Sequence, residues 1–135
     1  MSKDSPSAQG SEQQADDDGY DYLLEAAYEA LEESGFHDLR VSGYEDMTEP
    51  DPIADGIIPD LTARNQKGML FVFEICPTEA LVLMELAERL HALAGYAETS
   101  DAQLVLIVPE GDIELAAAFV AEHQIPENRL TIWEA

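Results

Sequence analysis

Lysine is nearly missing from this 135-residue sequence. Lys3 and Lys67 are the only two, and four arginines bring the basic total to 6 against 29 acidic residues. That balance weighs against tight binding of duplex nucleic acid, which rests on clustered Lys and Arg displacing counterions. A single cysteine, Cys76, excludes an internal disulfide and leaves the redox compartment open. No apolar run approaches the roughly 18 residues that a bilayer-spanning helix needs, so no membrane segment is expected. The N-terminus, MSKDSPSAQGSEQQADDDG, lacks the apolar stretch of a secretory signal, and cytoplasmic location is the default expectation. No internal repeat is visible.

What the sequence does have is an ordinary apolar content, 46%, and the length of one domain with a real core. The formal net charge is −23. Setting aside residues 1–18 removes Lys3 and five acids, which leaves five cations against 24 acids, a net of −19. The acidity therefore belongs to the folded part. Three readings follow: a solvated acidic surface adapted to high salt, an acidic decoy imitating a phosphate backbone, or an ordinary acidic cytoplasmic protein. The first is favoured, because net charge far from zero keeps a protein soluble while salt screens the repulsion.

Residues 1–18 are rich in Ser, Gln, Asp and Gly without apolar periodicity and read as a disordered acidic tail; residues 19–135 read as the domain. Tyr20, Leu23, Leu24, Ala27, Tyr28 and Leu31 recur at helical spacing, with Asp21, Glu25, Glu29, Glu32 and Glu33 outside, up to a stop at Ser34-Gly35. A short strand follows at about 38–43, then an acidic loop with two prolines. Strands are expected at 57–63 and 69–75, joined by the turn RNQKG. Thr78 is the expected N-cap of a helix ending at Gly95, with Ala80, Leu83, Met84, Ala87, Leu90, His91 and Ala94 as its stripe. The apolar run 102–109 reads as a strand covered on both faces, 112–124 as a third helix, and 129–133 as a final strand. The order α-β-β-β-α-β-α-β implies an α/β fold with a mixed sheet and helices on both faces.

Two carboxylates stand out. Asp60 follows Pro59 on the second expected strand, and Glu74 ends the apolar run MLFVF on the third, where an unpaired carboxylate would be costly. Symmetric pairing about residues 64–68 sets Asp60 opposite Val72 and diagonal to Glu74 on one face. Such neighbours lie roughly 7 Å apart, close enough to share a hard cation such as magnesium. The histidines His37, His91 and His123 lack ligand spacing and read as structural, and the aromatics, without basic neighbours, read as core.

Pro59-Asp60, thirteen intervening residues and Glu74-Ile75-Cys76 resemble the PD-(D/E)xK nuclease superfamily, whose restriction-endonuclease-like core has the same α-β-β-β-α-β order; the resemblance covers nearly all of 20–133. It implies Asp60 and Glu74 as magnesium ligands and puts Cys76 where the family has the lysine that orients or activates water. A thiol with a pKa near 8.5 is neutral at pH 7 and supplies no positive charge there. Lys67 lies roughly 23 Å along the strand from Glu74, and Arg64 roughly 13 Å from Asp60. Arg89, on the second helix, is the one cation placed to substitute, and a guanidinium is a poor proton carrier. The resulting expectation is a nuclease-fold protein with a degenerate metal site, acting as a non-catalytic binding or accessory module with a protein partner. The alternatives are an active magnesium-dependent nuclease using Asp60, Glu74 and Arg89, and an acidic α/β interaction protein unrelated to nucleases.

If the acidic surface is a salt adaptation, the thermal unfolding midpoint rises as KCl is added. A flat or falling midpoint across a KCl series discards that reading.

Overall fold

A computed structural model of the chain describes residues 11–53 and 56–135, with side chains from residue 19 onward. Helix α1 (Ser11–Glu33) is followed by strands β1 (His37–Val41), β2 (Leu61–Arg64) and β3 (Leu70–Ile75). A 3-10 turn (Thr78–Val82), helix α2 (Met84–Ser100), β4 (Gln103–Val108), α3 (Ile113–Glu122) and β5 (Leu130–Glu134) complete it. The strands make one mixed sheet in the order β1-β2-β3-β4-β5. β1 to β2 and β2 to β3 pair antiparallel, while β3 to β4 and β4 to β5 pair parallel. A parallel neighbour requires a crossover, and α2 and α3 provide the two that are needed.

The sheet separates two apolar layers. On one side Leu23, Leu24, Ala27 and Leu31 of α1 meet Leu61, Ala63, Phe73, Ile75, Val105 and Ile107. On the other, Leu86, Leu90 and Leu93 of α2 and Ala116, Phe119 and Val120 of α3 meet Val72, Cys76, Leu104, Leu106 and Val108. β4 alternates between the layers and is buried on both faces, as its unbroken apolar run implies. Phe71 and Phe73 stack, Phe36 meets both edge-on, and Trp133 tilts against Phe73, so these aromatics are core on the α1 side.

Several local expectations change. α1 begins at Ser11, so residues 11–18, which composition assigned to the tail, are helical; residues 1–10 of that tail lie outside the described residues. Ser, Glu, Gln and Ala in this stretch are compatible with a helix. β2 starts at Leu61 instead of 57. Pro59 has no N–H to give a ladder, and the Ile57 carbonyl is turned away to accept from the Ile53 amide at 2.8 Å.

Thr78 does not cap an α-helix. Its hydroxyl donates to Asp112 at the head of α3 (2.5 Å), and the chain makes a 3-10 turn before α2 begins beyond Leu83. That turn resets the helical phase. Val82 is 77% exposed and Met84 60%, while Leu86, Leu93 and Ala97 take inward positions. Gly95 lies inside α2, which continues to a left-handed cap at Asp101 (φ 58°). His91 faces outward and donates from Nε2 to the His123 carbonyl at 2.7 Å.

The β2–β3 register also differs. Observed partners are Leu61 with Phe73, Ala63 with Phe71 and Arg64 with Leu70, so the connection is Asn65–Met69. The Asn65 side chain makes it, accepting from the amides of Lys67 (3.0 Å) and Met69 (2.9 Å), while Gly68 adopts φ 85°. The ladder slides by two residues relative to the symmetric expectation. An even slide leaves every paired side chain on its expected face, and it brings Asp60, just ahead of β2, within hydrogen-bond reach of Glu74.

Leu90 is fully buried in the layer between α2 and β4. Leu90→Ala is expected to lower unfolding stability by about 3 kcal/mol, measured by urea denaturation. A loss under about 1 kcal/mol would mean that α2 does not pack as described.

Candidate functional site

Asp60 and Glu74 meet at the end of the β2–β3 ladder, tied together through the backbone. The Asp60 amide donates to Glu74 Oε1 at 3.2 Å, and the Ile75 amide donates to Asp60 Oδ2 at 2.8 Å. Each carboxylate thus occupies the place a ladder carbonyl would take just where Pro59 has interrupted the pairing. The two acids expected to share a pocket do share one.

Arg89 reaches into that pocket from the second turn of α2. Its Nε donates to Glu74 Oε2 at 2.6 Å and one terminal nitrogen to Oε1 at 3.1 Å, a two-pronged contact. The same nitrogen donates to the Ile58 carbonyl and lies 3.9 Å from Asp60 Oδ1. Glu74 is 1% exposed, so its charge is held by Arg89 and not by water. The expected substitute cation is therefore in contact with both acids. Lys67 and Arg64 are not: Arg64 donates to the Gly68 carbonyl in the hairpin turn at 2.8 Å.

Tyr20 is the member that sequence reasoning missed. It belongs to the apolar stripe of α1, yet its hydroxyl donates to Asp60 Oδ1 at 3.0 Å. The available signal was generic: a tyrosine at an inward position must bring its hydroxyl to a polar partner. Cys76 is fully buried among apolar residues of the α2 layer. Its Sγ lies 3.7 Å from the Glu74 carbonyl and its amide donates to Ile107 at 2.8 Å. Burial, then the charges of Glu74 and Asp60, push the thiol well above its ordinary value, so it is a small apolar filler and not a thiolate.

Burial raises Asp60 above the ordinary carboxylate value despite the bonds from Ile75 and Tyr20. Burial, followed by the Asp60 charge, raises Glu74 despite Arg89. Arg89 itself is lifted by Glu74 and Asp60 against its own desolvation, and Tyr20 is raised by burial and then by Asp60. Glu74 and Arg89 pull in opposite senses: burial favours a neutral acid, while a charged guanidinium favours an ionised one. The two-pronged geometry is that of an ion pair, so the ionised acid is the form this contact selects. Asp60 and Glu74 titrate as a pair beside an Arg89 that stays charged, so the cluster has net charge −1 when both acids are ionised and zero with one shared proton.

All four carboxylate oxygens accept hydrogen bonds from the protein. The two acids that would hold a magnesium ion thus already accept from Tyr20, Ile75, the Asp60 amide and Arg89, and the guanidinium balances one of their two charges. Among the described residues, no group of three or more His, Cys, Asp or Glu side chains is arranged to hold a metal. As arranged, these residues do not fit a divalent cation. Each carboxylate oxygen has a protein donor, with which a bound water would compete.

Glu25 and Glu29, on the outer face of α1, line a different hollow beside β1. Among the described residues, no helix is long and apolar enough to cross a membrane. No protein-family profile matches the chain, and no curated protein matches it. Among solved structures, a repair endonuclease from Pyrococcus abyssi is similar to it with a TM-score of 0.47 and 16% sequence identity, over 96% of this chain and 49% of that one. The chain spans about half the length of that endonuclease.

Removing Arg89 strands a buried carboxylate. Arg89→Met is expected to cost about 3–5 kcal/mol near neutral pH. Because Glu74 is raised in the folded state, the folded chain holds its proton over a span of pH above the ordinary carboxylate range where the unfolded chain has released it. Stability falls across that span, and beyond it the acid is ionised against Arg89. Loss of Arg89 deepens that fall, and the penalty shrinks at acid pH, where both states are protonated. Denaturant melts of Arg89→Met and of Arg89→Met with Glu74→Gln across pH check this. The double variant recovers much of the loss; a pH-independent loss that Glu74→Gln does not relieve would show that the pair is not coupled.

Proposed function

We propose that this chain is a restriction-endonuclease-like protein whose metal site has become an internal ion pair, and that it acts as a non-catalytic binding or accessory module with a protein partner. The element order, the antiparallel hairpin carrying Asp60 and Glu74, and the parallel strands after it support the family reading. The observation that carries the functional reading is the Arg89 guanidinium on Glu74, 3.9 Å from Asp60.

A metal-dependent phosphodiesterase needs two things here: open carboxylate oxygens for the cation, and a group that handles the proton of the attacking water. Arg89 takes both oxygens of Glu74, and Tyr20 and the Ile75 amide bond those of Asp60. At the position where the family has lysine, a thiol raised by burial offers neither charge nor base at neutral pH. The charge balance, 6 basic against 29 acidic residues, favours a protein partner over duplex nucleic acid.

Titration calorimetry with magnesium and manganese, alongside plasmid nicking by wild type, Cys76→Lys and Cys76→Lys with Arg89→Ala, separates this from the active-nuclease reading. Wild type is expected to show no saturable binding at millimolar metal and no nicking, with any gain confined to variants that restore the ammonium group. Nicking by wild type that Glu74→Ala abolishes would establish an active enzyme and overturn the proposal.

A further inference from the structure

The hollow beside β1 is lined by residues other than those of the ion pair. It is a groove of about 270 Å³ between α1 and the chain leaving β1. Leu24 and Val41, both buried, make its floor; Tyr28, Met47 and Tyr44 line it above them, and Glu25 and Glu29 are exposed at its edge. Tyr44 is held in place: its hydroxyl donates to Asp21 Oδ1 at 2.9 Å. The segment bearing it is closed by the Met47 amide on the Tyr44 carbonyl (3.1 Å) and the Val41 amide on the Thr48 carbonyl (2.9 Å), with Gly43 at φ 87° making the turn. The groove is therefore preformed.

We propose that this groove receives the arginine or lysine side chain of a basic peptide segment on a partner protein. Three features converge on that occupant. An apolar floor suits the methylene stem of a long cationic side chain. Two tyrosine rings offer faces for the charged head. Glu25 and Glu29, one helical turn apart on α1, repel each other unless a cation lies between them. None of the five cations among the described residues lines the groove; Arg40, the nearest in sequence, pairs with Asp38 and Asp51. The volume sits just below the range of small-molecule pockets and suits one inserted side chain. Asp21 extends the acidic row along α1 by another turn, so flanking basic residues of the same peptide find partners too.

This inference rests on the reading of the chain as a binding module and uses nothing in the Arg89 pocket, so the metal titration and the peptide measurement fail independently. The probe is a fluorescein-labelled peptide with one central arginine between leucines and alanines, and its counterpart with citrulline in place of arginine. Anisotropy is read in the KCl concentration that keeps the protein folded by circular dichroism. The arginine peptide is expected to bind saturably and the citrulline peptide roughly tenfold or more weakly. Glu25→Gln with Glu29→Gln, and separately Met47→Ser, weaken binding, while Glu122→Gln with Glu127→Gln, an equal loss of charge on the α3 side, leaves it unchanged. Absence of saturable binding overturns the proposal. So does equal affinity for both peptides, which would mean an apolar groove alone, or equal weakening by the control pair, which would mean diffuse net charge alone.

Discussion

A carboxylate as buried as Glu74 must be neutralised, hydrogen-bonded or both, because an isolated charge in a protein interior costs far more than one domain's net stability can absorb. Arg89 satisfies that constraint from the opposing helix, and much of the neighbouring structure follows from it. The guanidinium ties α2 to the end of β3, and through the Ile58 carbonyl to the chain entering β2. Asp60 closes the loop, accepting from the Ile75 amide and from the Tyr20 hydroxyl, so that α1 on the other side of the sheet joins the same network. Both helical layers are thereby pinned to one end of the hairpin.

The same constraint bears on function. A pair of acids at the end of a hairpin can serve as a cation site or as half of a salt bridge, and which one depends on whether the nearest cation is mobile metal or fixed side chain. Here the guanidinium is held through Nε and one terminal nitrogen, and its charge is secured by the acids beside it. In a chain with so few cations, placing one of its four arginines at this point is a considerable commitment of positive charge to the interior. The acidic surface then remains largely uncompensated, as the proposed capture of a basic segment in the groove beside β1 requires.

Much of this was legible in the sequence, for identifiable reasons. The stripe on α1 and the two-sided burial of β4 follow directly from periodicity, and Leu23, Leu24, Ala27 and Leu31 are buried as their spacing requires. Asp60 and Glu74 could be assigned to one face because strand parity survives an even slide of register, although the five-residue turn built by Asn65 could not be told from its neighbours by composition. Arg89 was identifiable by elimination, since Lys67 and Arg64 lie too far along their strands. Other features depend on tertiary contacts that leave no local mark. Thr78 is chemically a good cap, and only its partner Asp112, thirty-four residues on, diverts it. Tyr20 looks like one more apolar position until the fold brings Asp60 to it.

The central claim is that Arg89 occupies the place of a metal ion between Asp60 and Glu74. A crystal structure of the protein grown or soaked in manganese, with anomalous data, tests it most directly. The account predicts Arg89 paired with both Glu74 oxygens and no anomalous peak between the acids. A manganese peak bridging Asp60 and Glu74, with Arg89 swung clear, would contradict it.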